Sequence, residues 1–337
     1  MRHCWPLLIP LAVACRSPTL PDASSVTPVI VARLPTFLEG VVFDRHGVAY
    51  VSELWSETIW RIGPGEVPTR WASVANPNGH RILPDGRHVV CAFGADAIAI
   101  LDSVGRTLTL VGASDAGPLR DPNDLFADEH GGLYFTDSVD STGTVNYLAP
   151  NGRAITLVGR LRYPNGIVLR PDGRTLLVTE FVTRRILAYR VLAPGRLGPA
   201  EVFTTMPPPP ADSLSFSGPD GMALDEAGNL YVAYYGAGEV VVFSPSGALL
   251  RRYGVGSPQA SNVAFGGPRM DQLFVTSAES RIDSTQGILV RLDLPGVAGL
   301  PILPAPGAGT TTVGPARRDK RRLRPGHQAV ARPSRRD

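Results

Sequence analysis

Cysteine is nearly absent from this chain: three in 337 residues, at positions 4, 15 and 91. With the first two inside or at the edge of an N-terminal leader, Cys91 stands alone, and no internal disulfide can staple the fold. It lies in an apolar strand and reads as a small buried hydrophobe rather than a nucleophile. Aromatic residues make up only 7% of the chain, against 36 glycines and 32 prolines, the balance of a turn-dense all-β protein. No long amphipathic helix is written anywhere. There is no Gly-x-Ser-x-Gly elbow and no Ser-His-Asp order, which argues against serine esterase chemistry. No glycine-rich loop sits at a strand–helix junction, so a phosphate cradle is excluded. Residues 315–337 carry nine basic and two acidic side chains, so the rest of the chain is mildly acidic, −4 against +3 overall. It has no basic stripe for nucleic acid.

What is present is a repeat. Six times a polar residue opens a short apolar strand: Leu38-Glu39-Gly40-Val41, Pro77-Asn78-Gly79-His80, Pro122-Asn123-Asp124-Leu125, Pro164-Asn165-Gly166-Ile167, Pro219-Asp220-Gly221-Met222 and Ser261-Asn262-Val263-Ala264. Hairpin chemistry follows, Asp-x-x-Gly or Pro-Asp-Gly, then two more β-branched and aromatic strands and a fourth. Four strands at a period of roughly 40–45 residues mark a propeller blade. The predicted fold is all-β: a six-bladed β-propeller with four-stranded antiparallel blades. Val29-Ile30-Val31-Ala32 has no partner in its own repeat and is expected to close the circle as the outer strand of the last blade. The longer interval from Asn165 to Asp220 predicts a loop insertion around 207–217. The propeller spans 28–303, after a leader and linker at 1–27 and before a basic, disordered tail at 304–337.

In a circle, the six polar residues converge at the mouth of the central channel. Two carboxylates together need compensation, and carboxylate plus amide oxygens suit a hard divalent cation: calcium first, with zinc or manganese as alternatives. Glu39, Asn165 and Asp220 are the foremost ligands. Asn123 either ligates or holds substrate, and Asn78 and Asn262 line the pocket. Asp124, pointing away from Asn123, orients its neighbours. Asn-Gly and Asp-Gly are also turn dipeptides, so duplicated turn chemistry is the competing reading. Glu39 and the Asn262-Val263 pair speak against it. His80, two residues beyond Asn78, should face the same side and competes with Asp220 for the role of general base. His46, His88 and His130 fall in or beside hairpins and are expected at the surface.

Five of these motifs, in order and at blade spacing, resemble the SMP-30/gluconolactonase/LRE-like family over roughly residues 30–303. They are Leu38-Glu39-Gly40, Pro122-Asn123-Asp124-Leu125, Tyr163-Pro164-Asn165-Gly166-Ile167-Val168-Leu169, Gly218-Pro219-Asp220-Gly221-Met222 and Ser261-Asn262-Val263-Ala264-Phe265-Gly266-Gly267. The resemblance implies a metal held by Glu39, Asn165 and Asp220, a role for Asn123 in metal or substrate binding, and hydrolysis of sugar lactones. Hydrolysis of another ester or an organophosphate, and a non-catalytic ligand-binding propeller of the cell envelope, remain as alternatives.

The N-terminus has a short basic start and an apolar core, and Leu11-Ala12-Val13-Ala14-Cys15 resembles a bacterial lipoprotein processing site. That implies lipidation at Cys15 and an extracytoplasmic location; a plain secretory signal or a cytoplasmic protein are the other readings. The leader is too short to cross a bilayer as a helix. The expected partner is a small lactone or ester, taken by a monomer, with membrane contact only through Cys15.

Overall fold

The computed structural model describes residues 19–279 and 285–301. The leader, Cys15 and the basic tail lie outside the described residues, as does most of the segment 278–285. Six four-stranded antiparallel sheets follow one another along the chain as the blades of a propeller. Their inner strands are Leu38–Phe43, Pro77–Ile82, Pro122–Ala127, Pro164–Leu169, Gly218–Leu224 and Asn262–Gly266, in blades 1 to 6. Each inner strand packs beside the next, and the sixth beside the first, so the ring is closed. Val29–Leu34 pairs antiparallel with Gly287–Asp293 as the outermost strand of blade 6, from Val29↔Arg291 to Leu34↔Gly287. The first blade's approach strand thus covers an edge that would otherwise stay open.

The blades form because apolar residues line both sheet faces. Six clusters of buried aliphatic and aromatic side chains fill the six gaps between neighbouring blades. The hairpin aspartates act as the sequence anticipates. Asp44 Oδ1 accepts the amides of His46 and Val48, and Asp128 Oδ1 those of His130 and Gly132, while Gly47 and Gly131 take positive φ.

Two features exceed the sequence reading. A small hairpin, Ala113–Ser114 with Gly117–Pro118, sits between blades 2 and 3. In blade 4 part of the extra length lies in a long outer hairpin, Arg185–Ala193 with Arg196–Thr205, and the rest in the loop at 206–217. Leu20 and Val26 also pack on the blade 5–6 core, and the Pro21 carbonyl accepts the Tyr253 hydroxyl at 2.9 Å.

Candidate functional site

In blades 1 to 5 the inner strand carries a β-bulge at the repeated polar position. Leu38, Pro77, Pro122, Pro164 and Pro219 are paired across the sheet, the next two residues are skipped, and pairing resumes at Val41, His80, Leu125, Ile167 and Met222. A bulge re-aims side chains. Here Glu39, Asn78, Asn123, Asn165 and Asp220 leave the ladder, and all five are buried.

The glycine after the polar residue is not turn chemistry. Gly40, Gly79, Gly166 and Gly221 have no left-handed φ. A Cβ on Gly40 would lie 2.5 Å from the Asn78 carbonyl oxygen and one on Gly79 2.6 Å from that of Asn123. On Gly166 it would strike the Asp220 carbonyl and on Gly221 the Asn262 side chain. The glycines let each inner strand approach the next, which draws the ring tight. Buried hydroxyls of the second strands lock it: Thr136 Oγ1 donates to the Asn165 carbonyl at 2.7 Å and Thr179 Oγ1 to that of Asp220 at 3.2 Å. Gly166→Ala should therefore cost about 2 kcal/mol of stability by overpacking, read as a lower urea midpoint. An unchanged midpoint would contradict the close approach.

Burial raises the Glu39 carboxyl well above the ordinary range, and Asp220 and Asp124 add to the shift. Asp220 is likewise raised, by burial and then by Asp124, while the nearby Gly221 amide and Asn165 side chain pull the other way. Asp220 Oδ1 and Asn78 Oδ1 are buried acceptors without a hydrogen-bond partner. Two crowded carboxyls and two orphaned oxygens form a donor set that fits a hard, oxygen-seeking cation. Among the described residues no three His, Cys, Asp or Glu side chains cluster for a metal, so the set depends on its amides.

Asp124 reaches beneath the ring. Its Oδ1 accepts the Leu125 amide at 2.8 Å and its Oδ2 the Ile167 amide of blade 4 at 3.3 Å. The fully buried Arg81 guanidinium stands 3.8 Å from it and lies over the Phe126 ring. The sequence reading missed Arg81, whose place beside a conspicuous motif histidine hid it.

Three expectations are corrected. His80 does not share the face of Asn78, because the bulge adds one residue between Pro77 and His80 and breaks the two-residue period. It packs between blades 1 and 2, its Nε2 2.9 Å from Nδ1 of His88 and its ring against Tyr50 and Trp71. His88 is not a surface residue: it is buried in the same cluster. Asn262 stands one step off the ring. In blade 6 the strand pairing begins at Asn262, opposite Thr276, and Asn262 repeats the bonds of Asp124: its amide donates to Thr276 Oγ1 at 2.9 Å, and its Oδ1 accepts the following amide, Val263, at 2.8 Å. Asp124 does the same with Thr136 and Leu125. Ser261 therefore takes the ring position, its hydroxyl donating to the Leu38 carbonyl at 2.7 Å. Its neighbour's residue type had concealed it.

The model for the SMP-30/Gluconolactonase/LRE-like region matches residues 37–279. The lactonase drp35 of Staphylococcus saprophyticus is 33% identical over 224 residues, which cover 63% of this chain and 67% of the relative. A gluconolactonase structure from Xanthomonas campestris matches with a TM-score of 0.69 at 25% identity, over 84% of this chain and 96% of that one. The structure of a calcium-binding protein, regucalcin, from Agrobacterium tumefaciens matches with a TM-score of 0.67 at 22% identity, over 81% and 96%, which shows a shared fold.

Proposed function

Because the chain belongs to the SMP-30/gluconolactonase/LRE-like family, we propose that it is a hydrolase that opens lactone rings at its ring of buried oxygens, with a divalent cation. The names of the similar lactonase and gluconolactonase support the reaction class, sugar lactones among its substrates. The observation that carries the reading is the buried Glu39–Asp220 pair, with an Asp220 oxygen that no protein donor satisfies.

Glu39, Asn165 and Asp220, with Asn123, would hold the cation, which would polarise the ester carbonyl and acidify a water. Calcium suits these hard oxygen donors best, and the calcium-binding neighbour points the same way. Asp220 is the proton acceptor: burial beside like charge strengthens it as a base. Glu39 would give the cation its second carboxylate. The amide groups of Asn78 and Asn123 donate hydrogen bonds that orient the substrate. The dry walls around them strengthen each of these interactions. His80, held in an aromatic cluster, takes no part in this scheme.

A lactone panel assayed before and after chelation tests the proposal. Turnover should fall by at least about 100-fold on chelation and return with added calcium or another divalent cation. Cation binding without hydrolysis of any lactone would favour a ligand-binding propeller instead.

A further inference from the structure

Above the ring, one backbone bond repeats in four blades. The amide just past the second strand donates to the carbonyl two residues before the ring position: Leu54 to Phe37 at 2.9 Å, Phe93 to Asn76 at 3.1 Å, Ser138 to Asp121 at 2.8 Å and Phe181 to Tyr163 at 3.0 Å. Each bond stations two side chains on the rim over the carboxylates. Tyr235 in blade 5 and Ala278 in blade 6 end the corresponding strands. Of the four pairs, only that of blade 3, Asp121 with Ser138, lacks an apolar member.

The apolar members touch one another. Phe37 and Tyr235 lie 6.1 Å apart between ring centroids, Tyr235 and Phe181 6.1 Å, and Phe181 and Tyr163 5.7 Å. Phe216, from the loop of blade 4, caps Phe181 at 4.5 Å. Trp55 meets Phe93 at 6.3 Å, and Phe93 packs on the Phe37–Leu54–Ala278 cluster. The arc starts at the ring, where Phe37 and Tyr163 each stand two residues before a ring position, Glu39 and Asn165. It ends in water, with Phe216 56% and Trp55 54% exposed; Phe93, Tyr163 and Tyr235 are half-buried, and the buried Phe37 and Phe181 join them. Singly, exposed apolar side chains are ordinary; a continuous arc running from buried carboxylates to solvent is a binding surface.

We propose that this arc is a subsite for the apolar substituent of the substrate, so that the enzyme selects lactones bearing an alkyl or aryl group over polyhydroxylated ones. The inference rests on the lactonase reading and narrows its substrate class. An apolar group laid on the arc is removed from water against rings that lose nothing by its approach. Sugar hydroxyls in the same place would give up water with few donors or acceptors to replace it. The polar sector of blade 3 is left to the ester end of the molecule.

The test compares kcat/KM of the full chain, loaded with calcium, on three six-membered lactones: unsubstituted δ-valerolactone, alkyl-substituted δ-nonalactone and glucono-δ-lactone. The alkyl lactone should exceed the unsubstituted one by at least about tenfold, mainly through KM, with glucono-δ-lactone the poorest. In Phe216→Ser, and independently in Trp55→Ser, the ratio of alkyl to unsubstituted kcat/KM should drop below about three. Both side chains are half exposed, so neither change should unfold the protein. A preference for glucono-δ-lactone, or a ratio untouched in both variants, overturns the subsite while leaving the lactonase reading intact. Hydrolysis of none of the three overturns both.

Discussion

Asp220→Asn should lower lactone turnover by about 10³-fold and at the same time raise the melting temperature of the cation-free protein. The two effects have one cause. Asp220 is buried near Glu39 and Asp124, and its carboxyl stands above the ordinary range. A group that binds its proton more tightly when folded stabilises the fold below its unfolded pKa, and that contribution is lost as pH rises through the folded value. At neutral pH the cation-free fold is therefore less stable than one with a neutral side chain at this position. Asparagine keeps the shape and removes the charge, so scanning calorimetry should give a melting temperature several degrees higher, at about 2–4 °C per kcal/mol for a domain of this size. The same change removes the proton acceptor and one anionic ligand. A variant that melts lower and turns over normally would show that Asp220 is a structural carboxylate.

Acid should unfold the protein through a different pair. Burial lowers His80 well below the ordinary imidazole value, with His88 and Arg81 adding their positive charge. Burial lowers His88 to about 4, opposed by Asp44. Here the unfolded chain binds the extra protons, so stability is complete above about pH 6.5 and is lost as pH falls toward 4. For His88 the shift corresponds to roughly 3 kcal/mol. In His88→Phe a ring still fills the gap beside Trp71 and Tyr50, which stand 4.3 and 4.7 Å from it. Urea unfolding at pH 7.5 and 4.5 should show the wild type losing roughly 2.5 kcal/mol more than this variant over that span. Equal losses would place the acid sensitivity elsewhere. The ring carboxyls act in the opposite sense, so only the difference between the two proteins isolates the histidine.

Much of this architecture was legible from residue types at fixed intervals. Blade number, strand order and closure by Val29–Leu34 follow from the hairpin signals and the repeat. Glu39, Asn78, Asn123, Asn165 and Asp220 stood out because the repeat kept an oxygen-bearing side chain at the head of each inner strand. What failed was geometry that residue type does not encode. A bulge adds a residue without marking it, so counting by twos turned His80 toward the wrong face. In blade 6, matching Asn to Asn slipped the alignment by one and hid Ser261. The competing turn reading of the ring glycines rested on Asn-Gly making turns elsewhere; here they answer the neighbouring inner strand. The rim aromatics were invisible because only the closed ring gathers six distant strand ends.

A calorimetric titration of calcium into the cation-free wild type and into Glu39→Gln shows whether the buried oxygens hold a cation. One tightly bound equivalent is expected in the wild type. In the variant, binding should weaken by at least about 100-fold, which is 2.7 kcal/mol, while the fold stays intact. A wild type that binds no divalent cation, or a Glu39→Gln protein that binds it equally well, would contradict the claim that these buried oxygens form a cation cage.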